Sequence, residues 1–182
     1  MGAWVYVSDT SNYKPVLAIW DNVGARIFWF GRNPSEGIHY NLGLSNGNRL
    51  KDIITPDAVD KWVYMNLTYD GANIRVYQDG SLLYAEAATG TVDNQADPNN
   101  FTGVLNIGDQ ENSTNIYAGN LANVAIWNRA LHSDEINAIM WKSVNDLNDV
   151  DKNGLQAWYS LDDINGNFVP DSSGNGNNGT AN

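Results

Sequence analysis

The sequence predicts an all-β protein: a two-sheet antiparallel jelly-roll sandwich with one short helix on its C-terminal side. Segments of alternating apolar and polar residues recur at short intervals, and Gly, Asn and Asp residues separate them. Short, evenly spaced strands with turn residues between them are typical of sandwiches and jelly rolls. The length of 182 residues fits one domain, which at this size buries roughly 70% of the surface of its unfolded chain.

The alternating pattern predicts strands along most of the chain. They fall at 3–7, 16–20, 25–31, 37–43, 61–71, 73–80, 81–87, 103–109, 121–127 and 155–161. In 61–71 the apolar Val63, Met65 and Leu67 occupy alternate positions, so this face of the strand is expected in the core. Asp79 and Gly80 join two of the strands, and Asp-Gly is a strong signal for a tight hairpin.

One segment, residues 133–147, has the pattern of a helix. Ser133 is a plausible N-cap, and Asp134 and Glu135 in the first turn interact favourably with the helix dipole. Apolar residues line one face at helical spacing, which predicts that the helix packs on the sandwich: Ile136, Met140, Val144 and Leu147. A polar linker then leads into the strand at 155–161.

The composition excludes several classes of protein. There is no Cys, so disulfides, thiolate metal sites and thiol nucleophiles are impossible. The net charge of −11 argues against nucleic acid or an anionic membrane as a partner, and no apolar run reaches the ~20 residues of a membrane span. An acidic chain suits Ca²⁺, which prefers oxygen ligands, and an extracellular, cell-surface or virion location.

Two stretches carry a resemblance to a known family. Residues 69–87 ("YDGANIRVYQDGSLLYAEA") and 103–139, which contain "NIGD" and "GNLANVAIWNRAL" before "HSDEINAI", resemble the second half of a laminin-G-like jelly roll of the concanavalin A-like class. Pentraxins share this pattern. The resemblance covers most of residues 1–141 and implies the same sandwich fold.

The order of the elements is rotated relative to that family. Residues 1–148 resemble the main body of the domain, whereas 149–182 contain a linker and a strand, "GLQAWYSLDD", that resembles the family's start. The chain is therefore a circularly permuted domain, a domain followed by the start of a next repeat, or a domain that donates its last strand to a neighbour. We favour docking of this strand on its own sandwich, where it covers an edge that would otherwise stay unpaired.

The pentraxin resemblance also implies a calcium site. It places ligands in two stretches, "DN" before the strand at 25–31 and "DQEN" after the strand at 103–109: Asp21, Asn22, Asp109, Gln110, Glu111 and Asn112. Gln110 and Asn112 replace acidic residues of the family, which lowers the ligand charge and weakens the expected site. The alternative is that these side chains only cap turns.

Two further acidic turns contain candidate calcium ligands. Residues 149–154 copy the first half of an EF-hand loop, but Ser160 stands where the bidentate Glu belongs, so a turned linker is expected. Asp171, in "DSSGNGN", is either a calcium ligand or the start of an Asx turn.

Aromatic and amide side chains suggest carbohydrate as a ligand. Tyr40 and Tyr117 are predicted near loops, where binding residues are common, whereas Trp62 and Trp127 are expected in the core. A glycosidase is not expected, because no strand carries the alternating carboxylates of the related glucanases. His39 and His132, the two histidines, have no motif of a catalytic triad beside them.

Two classes of function remain. The first is a non-catalytic, lectin-like module that binds glycans or a cell-surface polysaccharide with the help of calcium, as part of a larger extracellular or virion protein. The second is an assembly module, such as a phage decoration or fibre domain or an adhesin repeat, which binds other copies or other chains and no small ligand. A fold of this class hosts both, so the sequence leaves them open.

Overall fold

Two antiparallel sheets face each other in the computed structural model of the chain, which describes residues 1–9, 11–20, 26–34, 37–55, 59–92, 104–109 and 116–182. The strands are β1 (Gly2–Val7), β2 (Lys14–Trp20), β3 (Arg26–Arg32), β4 (Ile38–Leu42), β5 (Arg49–Ile53), β6 (Trp62–Tyr69), β7 (Asn73–Gln78), β8 (Ser81–Ala87), β9 (Val104–Ile107), β10 (Gly119–Trp127), β11 (Leu155–Tyr159), β12 (Phe168–Val169) and β13 (Gly179–Thr180). Two short α-helices, α1 (Ser133–Ile139) and α2 (Asp149–Lys152), flank a 3-10 helix at Val144–Asp146.

The two large sheets have six and five strands. The order is β11-β10-β1-β6-β7-β8 in one and β5-β4-β3-β2-β9 in the other, and β12 pairs with β13 alone. The inner faces form one core, in which Leu17, Phe30, Met65 and Val76 are fully buried. This arrangement confirms the predicted two-sheet sandwich, because alternate residues of each strand enter the space between the sheets.

Each predicted strand has a counterpart, but β5 was missed, as were the two-residue strands β12 and β13. Three of the five residues of β5, Arg49, Lys51 and Asp52, are charged, so it lacks the apolar alternation of the other strands. β5 lies at the edge of the five-stranded sheet, where β4 is its one partner among the described strands. Charged residues on an edge strand oppose pairing with another chain, so this edge is protected.

The hairpin between β7 and β8 turns at the predicted dipeptide. Asp79 has φ +50° and Gly80 has φ +77°, the left-handed conformation that the tight hairpin turn requires. The Asp79 carboxylate also accepts a hydrogen bond from the Tyr64 N–H at 2.8 Å, which ties the turn to β6. The turn lies directly against Asn137 of α1.

The helix is shorter than the predicted 133–147. α1 starts with Ser133 and is capped by His132 rather than by Ser133, since the Glu135 carboxylate accepts the His132 N–H at 2.8 Å. It ends at Ile139, where the Trp4 indole N–H donates to the Met140 carbonyl at 2.7 Å. The last carbonyl groups of a helix have no N–H partner within the helix, and here the indole N–H of Trp4 supplies one.

The apolar stripe of the helical region still packs on the protein as expected. It covers part of the outer face of the six-stranded sheet and forms a second cluster, separate from the core between the sheets. The buried residues of this second cluster include Tyr64, Tyr77, Trp127, Ile136, Ile139, Leu147, Leu155 and Trp158. The sandwich therefore has a third, partial layer on one side, and the end of that layer borders the site described below.

The last strand docks on the chain's own sheet. β11 pairs with β10 in antiparallel register, with Val124 opposite Tyr159 and Ile126 opposite Ala157. Leu155, Ala157 and Tyr159 are buried. This is the pairing expected for a strand that fills the family's first position. Whether 149–182 belong to a permuted domain or begin a next repeat stays a prediction.

The turn after β12 covers the outer edge of β11. The Asn175 and Asn177 side-chain amides donate to carbonyls of β11, Asn175 to Leu155 at 2.9 Å and Asn177 to Gln156 at 2.8 Å. These hydrogen bonds from side chains occupy part of the backbone edge of β11. An edge that is covered in this way is less able to pair with a strand of another chain.

Candidate functional site

An open groove of about 560 Å³ lies on the outer face of the six-stranded sheet, beside the end of α1. Ligand sites of roughly 300–1,000 Å³ are typical for small molecules. We call it the aromatic groove. Its lining residues are Trp4, Trp62, Ala122, Asn123, Met140, Trp141, Lys142, Ser143 and Asp146.

The floor of the aromatic groove comes from β1 and β6. Trp4 and Tyr6 occupy alternate positions on β1, so both side chains project from the same face of the sheet. Trp4 lies opposite Tyr64, with ring centres 5.5 Å apart, and Tyr6 lies opposite Trp62, with ring centres 5.9 Å apart. These cross-strand aromatic pairs hold the rings in fixed positions on a rigid sheet.

Trp141 forms a wall of the groove where the chain leaves α1. Its ring centre lies 4.6 Å from that of Trp4 and the two planes make an angle of 47°. The bond from the Trp4 indole to the Met140 carbonyl fixes the backbone next to it. Trp141 is nevertheless 75% exposed and Trp62 is 45% exposed, so two large aromatic side chains offer surface to a ligand.

Polar groups stand along the rim. Asn123 has φ +50°, at a point where the register of β10 against β1 shifts. Such a bulge turns a side chain away from the regular alternation of the strand. Ser143 donates its hydroxyl hydrogen to the Asp146 carboxylate at 2.6 Å, and this bond lowers the pKa of Asp146. An ionised carboxylate and an amide are therefore available to hydroxyl groups.

Lys142 is the one cation among the lining residues that the structure describes, and it is paired. Its ammonium group lies 2.6 Å from the Asp151 carboxylate of α2. The hydrogen bond from Lys142 lowers the pKa of Asp151 and outweighs the opposing effect of burial. The pair joins α2 to the end of α1 and so supports the segment that carries Trp141.

The two tyrosines predicted as ligand platforms lie in the interior, which corrects that prediction. Tyr40 is fully buried in β4, and its hydroxyl donates to Glu86 at 2.6 Å. Tyr117 is 9% exposed, and its hydroxyl donates to the Tyr6 carbonyl at 3.0 Å. Burial raises the pKa of both phenols. Neither ring offers a face to a sugar, because both are packed in the core between the sheets.

Most of the predicted calcium ligands lie outside the described residues: Asp21, Asn22, Gln110, Glu111 and Asn112. Asp109 is described and lies half-buried two residues after β9. Within the described part of the chain, no three acidic or histidine side chains come together as a metal site would require. Because only one of the six predicted ligands is described, the structure does not test the calcium site, which stays a prediction.

Asp171 stabilises a turn. One carboxylate oxygen accepts the N–H groups of Trp158 and Ser173, and the other accepts the Ser173 hydroxyl and the Asn177 N–H, at 2.9 Å in each case. Four donors occupy the acceptor positions of a carboxylate, so none is left for a metal. Asn148 likewise caps α2 within 149–154, which makes this segment a helical turn rather than part of an EF-hand loop.

The structure also reverses the expectation for Trp62, which was predicted in the core but faces solvent, whereas Trp127 is buried as expected. Trp141 was missed altogether. Its sequence does contain a hint, since it follows Met140 and so falls outside the apolar stripe of the helix. A large aromatic residue off the packed face is a candidate for an exposed binding side chain.

Comparison with known proteins identifies the family. The model of the family described as the Concanavalin A-like lectin/glucanases superfamily matches residues 1–137.

The chain belongs to this superfamily.

Several solved structures are similar to the chain in fold. A protein from Bacteroides ovatus, provisionally named a carbohydrate-binding protein, matches all of the chain with a TM-score of 0.73 and 16% identity, and the chain spans 51% of its length. A pentraxin of the SAP type from Limulus polyphemus, a native heptamer, matches 99% of the chain, with 81% of its own length covered, a TM-score of 0.61 and 13% identity.

A third similar structure is the CBM40 module of a Ruminococcus gnavus IT-sialidase bound to α2,3-sialyllactose. It matches 76% of the chain and is itself covered over 79%, with a TM-score of 0.57 and 13% identity. No curated protein matches the chain in sequence. Within the described residues, none of the helices of this superfamily member has the length and apolar character needed to cross a bilayer.

Proposed function

We propose that the chain is a non-catalytic carbohydrate-binding module that holds its glycan in the aromatic groove. The observation that carries the proposal is the exposure of Trp62 and Trp141 in one groove whose rim bears Asn123 and Asp146. A sugar ring has an apolar face that packs on an indole, and hydroxyl groups that bond to amides and carboxylates. Recognition of this kind needs a mostly apolar surface with a few placed polar groups.

The similar structures support carbohydrate as the class of ligand. One is named for carbohydrate binding and another is a carbohydrate-binding module bound to a sialylated sugar. The chain spans about half of the Bacteroides ovatus protein. We accordingly propose that it works as one module of a larger protein, in an extracellular or surface location where glycans are accessible.

The lining of the groove favours binding without catalysis. Glycoside hydrolysis generally needs two carboxyl groups about 5–9.5 Å apart on either side of the bond. Within the described part of the chain, Asp146 is the one carboxylate that lines the groove, and Asp151 nearby is paired with Lys142. A single carboxylate can orient a hydroxyl group but cannot supply both an acid and a base.

Calcium assistance is a separate part of the proposal. It rests on the resemblance of "DN" and "DQEN" to pentraxin ligands and is tested by thermal melts in calcium and in EDTA. A ligand that binds only the folded state raises the melting temperature. We expect calcium to raise it, and the double variant Asp21→Ala with Glu111→Ala to remove the shift. An unchanged melt in calcium would contradict this part and leave glycan binding untouched.

An assembly role is the second candidate, and one observation favours it. Trp141 is 75% exposed beside Trp62 and Met140, and an exposed apolar patch of this kind also suits a protein contact. If the groove binds a second copy, the purified protein should form concentration-dependent oligomers. Trp141→Ala should then shift it to the monomer on a sizing column.

The decisive experiment compares exposed aromatic residues inside and outside the groove. Glycan-array binding is measured for the wild type, Trp62→Ala, Trp141→Ala and the control Phe168→Ala, whose ring is 51% exposed on β12. We expect the two groove variants to lose at least tenfold in affinity and the control to bind normally, with all four melting cooperatively. Equal binding by all four would contradict the proposed site.

A further inference from the structure

We infer that the aromatic groove selects uncharged glycans over glycans that carry a carboxylate, such as sialylated or uronic-acid sugars. The inference rests on the proposed function and specifies its ligand. It follows from the charges that line the groove, because Trp62, Trp141 and Asn123 carry none and contribute no preference for a charged sugar.

The positive charge of Lys142 in the groove is already balanced by a carboxylate. Lys142 is bound to Asp151 at 2.6 Å, and the Asp151 side chain is only 10% exposed. Moving the ammonium group to a ligand would leave a largely buried carboxylate without its ionic partner, which is costly. Recognition of carboxylates generally uses a free cation, above all the bidentate guanidinium of Arg. Among the described residues that line the groove, none is an Arg.

The fixed negative charge of the groove acts in the same direction. The Ser143 hydroxyl holds Asp146 in its ionised form, since the hydrogen bond lowers the pKa of the carboxyl group. A sugar carboxylate in the groove would approach this charge. Lys142, whose charge also lowers the pKa of Asp146, is already paired with Asp151, so the three groups together keep a net negative charge. Two like charges about 4 Å apart in water repel by about 1 kcal/mol, which is about fivefold in affinity.

The rest of the protein adds to this effect. Its net charge is −11, so an anionic glycan also meets a repulsive field as it approaches. Repulsion between exposed charges is screened beyond about 8 Å at physiological salt and beyond about 3 Å at 1 M. The preference for uncharged glycans should therefore weaken at high salt, whereas stacking on the indoles should persist.

The test uses matched pairs of glycans. Each pair is a neutral oligosaccharide and its sialylated counterpart, lactose and α2,3-sialyllactose among them, titrated at 0.15 M and 1 M NaCl. Asp146→Asn removes the charge of the groove and keeps the shape of the side chain. Asp134→Asn is the control, because it makes the same change in net charge at the other end of α1, outside the groove.

We expect the neutral member of each bound pair to bind at least about fivefold more tightly at 0.15 M salt. Asp146→Asn or 1 M salt should narrow that ratio, and Asp134→Asn should leave it near the wild-type value. Equal or tighter binding of the sialylated members, lost in Trp62→Ala, would overturn the inference and leave the proposed function standing. Absence of glycan binding, or binding that Trp62→Ala does not affect, would overturn the proposed function and this inference together.

Discussion

The bond between the Trp4 indole and the Met140 carbonyl joins the floor of the groove to its wall, and Trp4→Phe removes it while keeping an aromatic ring. The N–H to carbonyl distance is 2.7 Å. A hydrogen bond in a protein contributes about 0.5–1.5 kcal/mol, and an acceptor left without a partner in the interior costs about 1–3 kcal/mol. Because Trp4 and Met140 are only partly buried, we expect a loss of about 1–2 kcal/mol.

The assay is thermal and urea unfolding of Trp4→Phe beside Trp62→Phe, a matched change at an exposed ring of the same groove. For a chain of this size 1 kcal/mol corresponds to about 2–4 °C in melting temperature, so Trp4→Phe should melt about 2–8 °C lower. Trp62→Phe should stay within about 0.5 kcal/mol of the wild type. Equal melting temperatures for the two variants would refute the role of this bond in holding the end of α1.

Three further changes test other parts of the structure. Gly80→Ala should lower the free energy of unfolding in urea by about 1–2 kcal/mol, because Gly80 has φ +77° and an added Cβ would collide with Asn137. The double variant Gly80→Ala with Asn137→Ala should regain only the part of this loss that comes from the collision. Asp171→Asn should speed hydrogen exchange at the backbone N–H groups of Trp158 and Asn177, because both donate hydrogen bonds to the Asp171 carboxylate. Unchanged exchange rates would show that this turn does not stabilise the edge of β11. Lys142→Met should reduce the loss of unfolding free energy that occurs as the pH falls. The pKa of Asp151 is lowered in the folded state by Lys142, so its stabilising effect is complete above the ordinary value of 3.8 and is lost as pH falls through the folded pKa. Stability is compared between pH 2 and pH 7, and identical curves for both proteins would contradict the pairing.

The strands could be predicted because burial imposes an alternation that a sequence displays directly. In β6 the apolar Val63, Met65 and Leu67 enter the core, as their spacing requires. β5 carries no such pattern, since an edge strand is held by backbone bonds to β4. The end of α1 was not predictable from local sequence either, because it depends on Trp4, which lies 136 residues away along the chain.

The groove could not be read from the sequence for a related reason. Alternation places Trp62 on the face opposite Val63, but it does not reveal whether that face is covered. The helical layer covers Tyr64 and stops short of Trp62, and only the three-dimensional packing shows this boundary. Tyr40 shows the converse: an aromatic residue with a polar tip can lie fully inside when its hydroxyl has a partner such as Glu86.

Indole N–H signals in a ¹H–¹⁵N NMR titration would show which side chains contact the glycan, because the chain has seven Trp residues at different depths. The titrant is the tightest neutral glycan found on the array. We predict that the signals of Trp62 and Trp141 shift most, that Trp4 beneath them shifts less, and that the buried Trp127 and Trp158 stay in place. Shifts confined to Trp127, Trp158 or Trp29, with the signals of Trp62 and Trp141 unchanged, would show that the glycan binds outside the aromatic groove.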